Sequence, residues 1–227
     1  MHTSEELTAA SFAITVDGRA GDLDAVLPGF TERDRVGVVV RRPLGGAGAS
    51  LLVLAAVTGF YEEQRRRGEP FFIYPDYFVF HAGRALGDHR KLDIWPSHKE
   101  VVVADEPEAL LRAINDRAIT RLVVEDDGGD GDGDGAPELA RETLASARRR
   151  IATCLAYAPG GRAPDGGIAI AGNDVTERFV TAMVEPSDGA GSKAPGAGEA
   201  RRDLVRNGRP VETYRAIALD EALARLG

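Results

Sequence analysis

The sequence predicts an α/β fold, or its α+β variant, as one domain over residues 1–227: a mixed sheet of about five or six strands with helices packed on it. Three observations lead there. Short β-branched runs such as "RVGVVVR" read as buried strands. Segments with helical spacing lie between several of them, "DEPEALLRAINDRA" most clearly. The chain is 43% hydrophobic and 28% charged, which is enough apolar material for a sizeable core.

The first strand is "SFAITV", Ser11 to Val16, ending on the turn signal "DGRAGD". Arg35 to Arg41 is a stronger strand. The glycine-rich "PLGGAGAS" follows, then a helix from about Ala47 to Arg67. Arg65, Arg66 and Arg67 complement that helix's dipole, and Gly68 suits the position just beyond its end. "EPFFIYPDYFVFHAG" reads as two extended pieces around "YPDY", with Phe78 and Phe80 on one face and Tyr77, Val79 and His81 on the other. "GRALGDHRKLDIWPSH" looks irregular.

Lys99 to Ala104 is a strand, and the next helix takes Asp105 as N-cap, with Pro107 and Glu108 in its first turn. Leu110, Leu111 and Ile114 form its apolar stripe. "ITRLVVED" closes a βαβ-like unit whose strands could pair as parallel neighbours. A long helix is expected over Pro137 to Tyr157, carrying Cys154 on an apolar face. "GGIAIAG" is a strand, and "NDVTERFVTAMVEP" favours a helix capped by Asn173, though a strand over 173–186 also fits. The tail should hold a helix (Ala200 to Arg206), the strand "PVETYRAI" and a last helix, "LDEALARL". Two excursions should leave the fold: an acidic glycine-rich insertion at 125–136 and a flexible Gly/Ala/Pro loop at 185–199.

A net charge of -8 argues against a general nucleic-acid binder, which needs a basic face; a local basic patch is still open. Cys154 is the only cysteine, so no intrachain disulfide forms and the chain reads as cytoplasmic. No basic-then-apolar leader opens it, and "ASLLVLAAVTGFY" is too short to cross a bilayer, so no membrane role is expected. The preference for Ala, Gly, Arg, Asp and Val suggests a GC-rich bacterial genome.

Three stretches are candidates for chemistry. "DDGGDGDGDGA" resembles a calcium loop if begun at Asp130, with Asp132, Asp134 and Gly135 in place; Arg141 then stands where the clamping Glu belongs. A solvated acidic insertion is the better reading. Gly46, Gly48 and Ser50 sit between a strand and a helix, where backbone N–H groups can cradle an anion or nucleotide; neither G-x-G-x-x-G nor a "GK[ST]" is present. Tight strand-to-helix packing is the better reading of these glycines.

Residues 71–100 hold four of eight Phe, two of five Tyr, the only Trp and three of four His. Tyr74, Tyr77, Arg90 and Trp95 would suit a pocket or interface. His81, His89 and Asp93 are the candidate acid/base residues, with His98 and Asp88 nearby in sequence. His81, His89 and His98 are the metal-ligand candidates, although no known metal spacing is present and no cofactor is predicted. The expected function is a noncatalytic binding or interaction protein using 71–100, with a protein or small-molecule partner and self-association as one form of it. The alternative is a small metal-dependent or acid/base enzyme using His81, His89, Asp93 and His98.

Overall fold

The computed structural model describes residues 7–22, 24, 31, 33–40, 50–68, 76–82, 98–104, 106–126, 141–159, 165–176, 178 and 211–226. In chain order the elements begin with a 3-10 turn (Ala9–Ser11), β1 (Phe12–Val16), β2 (Arg19–Ala20), β3 (Arg35–Val40) and α1 (Ser50–Arg67). Then come β4 (Asp76–Ala82), β5 (His98–Ala104), α2 (Pro107–Asp116), β6 (Arg121–Glu125) and α3 (Arg141–Arg150). β7 (Thr153–Pro159), β8 (Ile168–Gly172), β9 (Val211–Ala216) and α4 (Leu219–Ala224) complete the set.

All nine strands join one mixed sheet in the order β2-β1-β8-β9-β7-β6-β3-β4-β5. Pairing is parallel from β5 through β4, β3 and β6 to β7, and antiparallel from β7 through β9, β8 and β1 to β2. The α/β class is as the sequence predicts, but among the described residues the strands number nine rather than five or six. Part of the excess is β2. Asp17 and Gly18, both at positive φ (50° and 72°), form the tight turn that folds it back on β1. Another part is β7, which the sequence reading assigned to a helix reaching Tyr157. That helix ends at Arg150, on the basic run Arg148, Arg149, Arg150, and Cys154 lies in a strand. Pairing with β6 on one side and β9 on the other outweighs the helix preference of Ala and Leu.

The unit formed by β5, α2 and β6 also differs from expectation. Its strands are parallel, but β4 and β3 stand between them. The chain steps from β3 outward through β4 to β5, returns past β3 to β6, and continues the other way to β7. The direction of winding therefore reverses between β3 and β6.

The reversal puts helices on both sides of the sheet. On one side α2, α3 and α4 bury Leu110, Leu111, Ile114, Ala147, Ala222 and Leu223 against Val39, Phe78, Phe80, Leu122, Val124 and Cys154. Phe78 and Phe80 thus share one face, as their alternation predicts, and that face is buried in this core. On the other side lie the intervening residues Val36, Val38, Val40, Val123, Leu155 and Tyr157, all buried. α1 packs there, reaching β8 and burying Leu52 and Ala55.

Helix ends follow their local chemistry. Gly68, at φ 70°, ends α1 with its N–H on the Arg65 carbonyl. Glu106, not Asp105, is the N-cap of α2; it makes no side-chain capping bond, and Pro107 opens the helix. Asn173 Oδ1 accepts the Val175 and Thr176 N–H groups at 3.0 and 3.1 Å, so the segment it caps begins as a helical turn. Most of the two excursions, the expected helix at 200–206 and the extended piece before Asp76 lie outside the described residues. Among the described residues no helix is long and apolar enough to cross a membrane.

Candidate functional site at the carboxyl edge of the parallel strands

Where the winding of an open parallel sheet reverses, the loops at the strands' carboxyl ends diverge to opposite faces and leave a crevice. Here that point lies between the ends of β3 and β6. Residues 41–49, which contain Gly46 and Gly48, follow β3 directly, and α1 begins at Ser50. The glycine-rich stretch is therefore the first connection of the sheet's central strand.

One register row crosses the sheet at this edge. Val103 of β5 pairs with His81 of β4, and His81 with Val40 of β3. Val39 pairs with Val124, which brings Val40 level with Glu125 of β6. Glu125 pairs with Tyr157 of β7, Tyr157 with Tyr214 of β9, and Tyr214 with Ile168 of β8. Glu212, two residues before Tyr214, faces the same way. Glu125, Glu212, Tyr157 and Tyr214 are each at most 2% exposed, which is rare for glutamate.

The row is hydrogen-bonded. The Tyr214 hydroxyl donates to Glu212 Oε2 at 2.5 Å. Burial, then the charge of Glu212, pushes the Tyr214 phenol well above its ordinary pKa, so it stays neutral. The Tyr157 and Tyr214 rings lie 5.4 Å apart between centroids, tilted by 42°. Asp126, directly after Glu125, gives its N–H to the Tyr157 carbonyl and accepts Arg225 Nη1 at 2.6 Å. Arg225 also holds Glu221, which holds Arg215 at 2.7 Å. The C-terminal helix α4 and its exit turn thereby fix the end of β6.

The amino edge has a different character. Asp34 accepts Thr31 N–H, the Thr120 hydroxyl and Arg121 Nε at 2.7, 2.8 and 2.9 Å, and Arg121 Nη1 reaches Thr153 Oγ1 at 2.5 Å. These bonds join the starts of β3, β6 and β7. Asp34, Thr120 and Arg121 find these partners within the protein, which marks the cluster as structural.

The sequence-predicted residues divide between these edges. His81 stands in the carboxyl-edge row. His98 opens β5, level with Tyr77 and four residues from His81's level, about 13 Å along the strands. The sheet therefore sets the backbones of these two residues at opposite ends of their strands. Tyr77 is in β4; its side chain and those of His81 and His98 lie outside what is described, as do Tyr74, Asp88, His89, Arg90, Asp93 and Trp95, and Gly46 and Gly48. Among the described residues no cluster of three metal-ligating side chains occurs. Cys154 is buried and its thiol is pushed up to about 11 by desolvation, which makes it a packing residue.

The sequence reading missed Glu125, Tyr157, Glu212 and Tyr214. Two signals were available: a Glu ending the apolar run "RLVVE", and a Glu alternating with a Tyr in "VETYRA".

No protein-family model matches the chain, and no curated protein matches it. Among solved structures, the crystal structure of a 30S ribosomal A1408 methyltransferase from an uncultured bacterium aligns with 90% of this chain and 100% of its own. The identity is 8% and the TM-score 0.24, too low to carry an argument about fold or function.

Proposed function

We propose that this chain binds a nucleoside-containing small molecule at the carboxyl edge of its parallel strands, in the crevice between β3 and β6. The observation that carries the reading is the strand order, with its reversal directly beside the glycine-rich connection of the central strand. The general rule for open α/β sheets places ligands at such a point, and glycines there permit close approach of backbone to ligand; both are arguments from fold analogy. The strands β3, β4 and β6 all end at this edge, so the backbone of His81, near the end of β4, stands there too. Cytoplasmic residence is part of the proposal, since a single cysteine needs no oxidising compartment.

A calorimetric screen of nucleosides and nucleotides tests this, with a Gly48→Val variant as control. Binding that is lost in a variant with an unchanged far-UV spectrum supports it. Equal binding by the variant moves the site elsewhere.

One observation favours a second reading, an acid/base enzyme working on that ligand. His81 occupies the same register row as Glu125, Tyr157 and Tyr214, so an imidazole position and buried carboxylates share one edge. Turnover abolished by His81→Ala, with ligand affinity kept, would select this reading over simple binding.

A further inference from the structure

We infer that the edge strand β5 pairs with β5 of a second copy of this chain, antiparallel and centred on Val102, so that two sheets join into one. β5 is the last strand on the parallel side, and among the described residues it pairs only with β4. An edge strand presents backbone N–H and C=O groups that another strand can take up. Its start is guarded: the register against β4 shifts between Tyr77 and Phe78, and Lys99 and Glu100 follow His98. Val101 to Ala104 carries neither charge nor proline. Val102 and Ala104 pack into the core on the side of the sheet that α2 covers. Val103 alternates to the opposite face and is 44% exposed, the one large hydrophobic so exposed among the described residues.

The strand's own sequence says what covers this edge. Two copies related by a twofold axis perpendicular to the sheet keep their faces matched, so opposite positions must both be odd or both be even. Four such registers bring the valines together. Glu100 opposite itself, or Glu100 opposite Glu106, sets like charges against each other. Val101 opposite itself sets Lys99 against Val103 and Glu100 against Val102. Val102 opposite itself sets Val101 against Val103, Glu100 against Ala104 and Lys99 against the position of Asp105. Only this last register matches valine with valine and base with acid. It covers Val103 in both copies at once. Glu100 keeps its own partner, Arg117, at 2.6 Å within each copy. One strand pair is a smaller contact than a standard interface, so the dimer forms reversibly at micromolar concentration.

The test is sedimentation of the full chain over a micromolar concentration series. It uses no ligand, so its outcome is independent of the binding site proposed above. The unmodified protein should pass from monomer to dimer. Val103→Lys, at an exposed position, should weaken the dimer at least about tenfold with an unchanged far-UV spectrum. Lys99→Asp should weaken it too, and adding Asp105→Lys to the same chain should restore it, which a merely structural role at either position would not do. A chain that stays monomeric throughout overturns the inference. So does a dimer that Val103→Lys leaves intact, because its contact then lies elsewhere. A charge swap that folds but does not restore the dimer overturns the register.

Discussion

Arg121 Nε lies 2.9 Å from Asp34 Oδ1, and the two side chains are only 11% and 10% exposed. The pair fastens the starts of β3 and β6, the two strands between which the winding reverses, at the edge opposite the proposed site. Removing one partner strands a charge in a poorly solvated place. Asp34→Ala should therefore cost about 3–5 kcal/mol in urea unfolding while leaving ligand affinity unchanged. A loss below about 1 kcal/mol would show that the pair contributes little.

The same carboxyl carries a pH dependence. Burial alone would raise its pKa, but the Arg121 hydrogen bond, the Thr31 N–H, the Thr120 hydroxyl and the Arg121 charge together lower it below the ordinary value. A carboxyl depressed on folding contributes stability fully above its unfolded pKa, near 3.9, and loses it as pH falls through the lower folded value. Melting temperatures taken between about pH 5 and pH 2 should fall less steeply for Asp34→Asn than for the unmodified protein. Parallel curves would mean that other groups govern acid unfolding.

Gly37 lies in the middle of β3 with a neighbour where a side chain would go. A Cβ there would stand 2.9 Å from Phe80 Cε2 and 3.1 Å from Ile119 Cγ2. Gly37→Ala should destabilise the protein by about 1–3 kcal/mol through overpacking, despite the better strand propensity of alanine. Ile119→Ala removes both γ-carbons that the new Cβ would meet, so Gly37→Ala with Ile119→Ala should cost less than the two single variants added together. Strict additivity would place the strain on Phe80 instead.

Cys154 should be inert in the native protein. Its thiol is buried and held near 11, so at pH 8 almost none is thiolate. Labelling by an aromatic disulfide reagent should proceed only as fast as the protein opens, and should become rapid in denaturant. Stoichiometric labelling within a minute under native conditions would contradict the buried strand position.

Much of the fold was legible in the sequence where one signal dominated. The β-branched run at Arg35–Val40, the capped stripe of Leu110, Leu111 and Ile114, and the alternation of Phe78 and Phe80 each had a single reading. The stretch after Arg150 did not. "IATCLAYAP" suits helix or strand equally by composition, and only pairing with β6 and β9 decides it, which involves residues about sixty positions away. Misreading β7 as a helix hid the polar row, because Tyr157 meets Glu125 and Tyr214 only across strands. The glycine-rich connection was visible as a motif, but its place beside the reversal depends on strand order, which short-range patterns do not encode. His81 and His98 were near in sequence and stand at opposite edges, since parallel neighbours run the same way.

The most direct test of the account is an amide chemical-shift titration of the isotopically labelled protein with the tightest-binding nucleoside of the calorimetric series. The account predicts shifts concentrated at the carboxyl edge: residues 40–52, His81 onward, Glu125–Asp126 and Tyr157–Pro159, with Thr31–Arg35 and Thr120–Arg121 unmoved. Shifts centred on the amino edge around Asp34 and Arg121, with the reversal point silent, would contradict it.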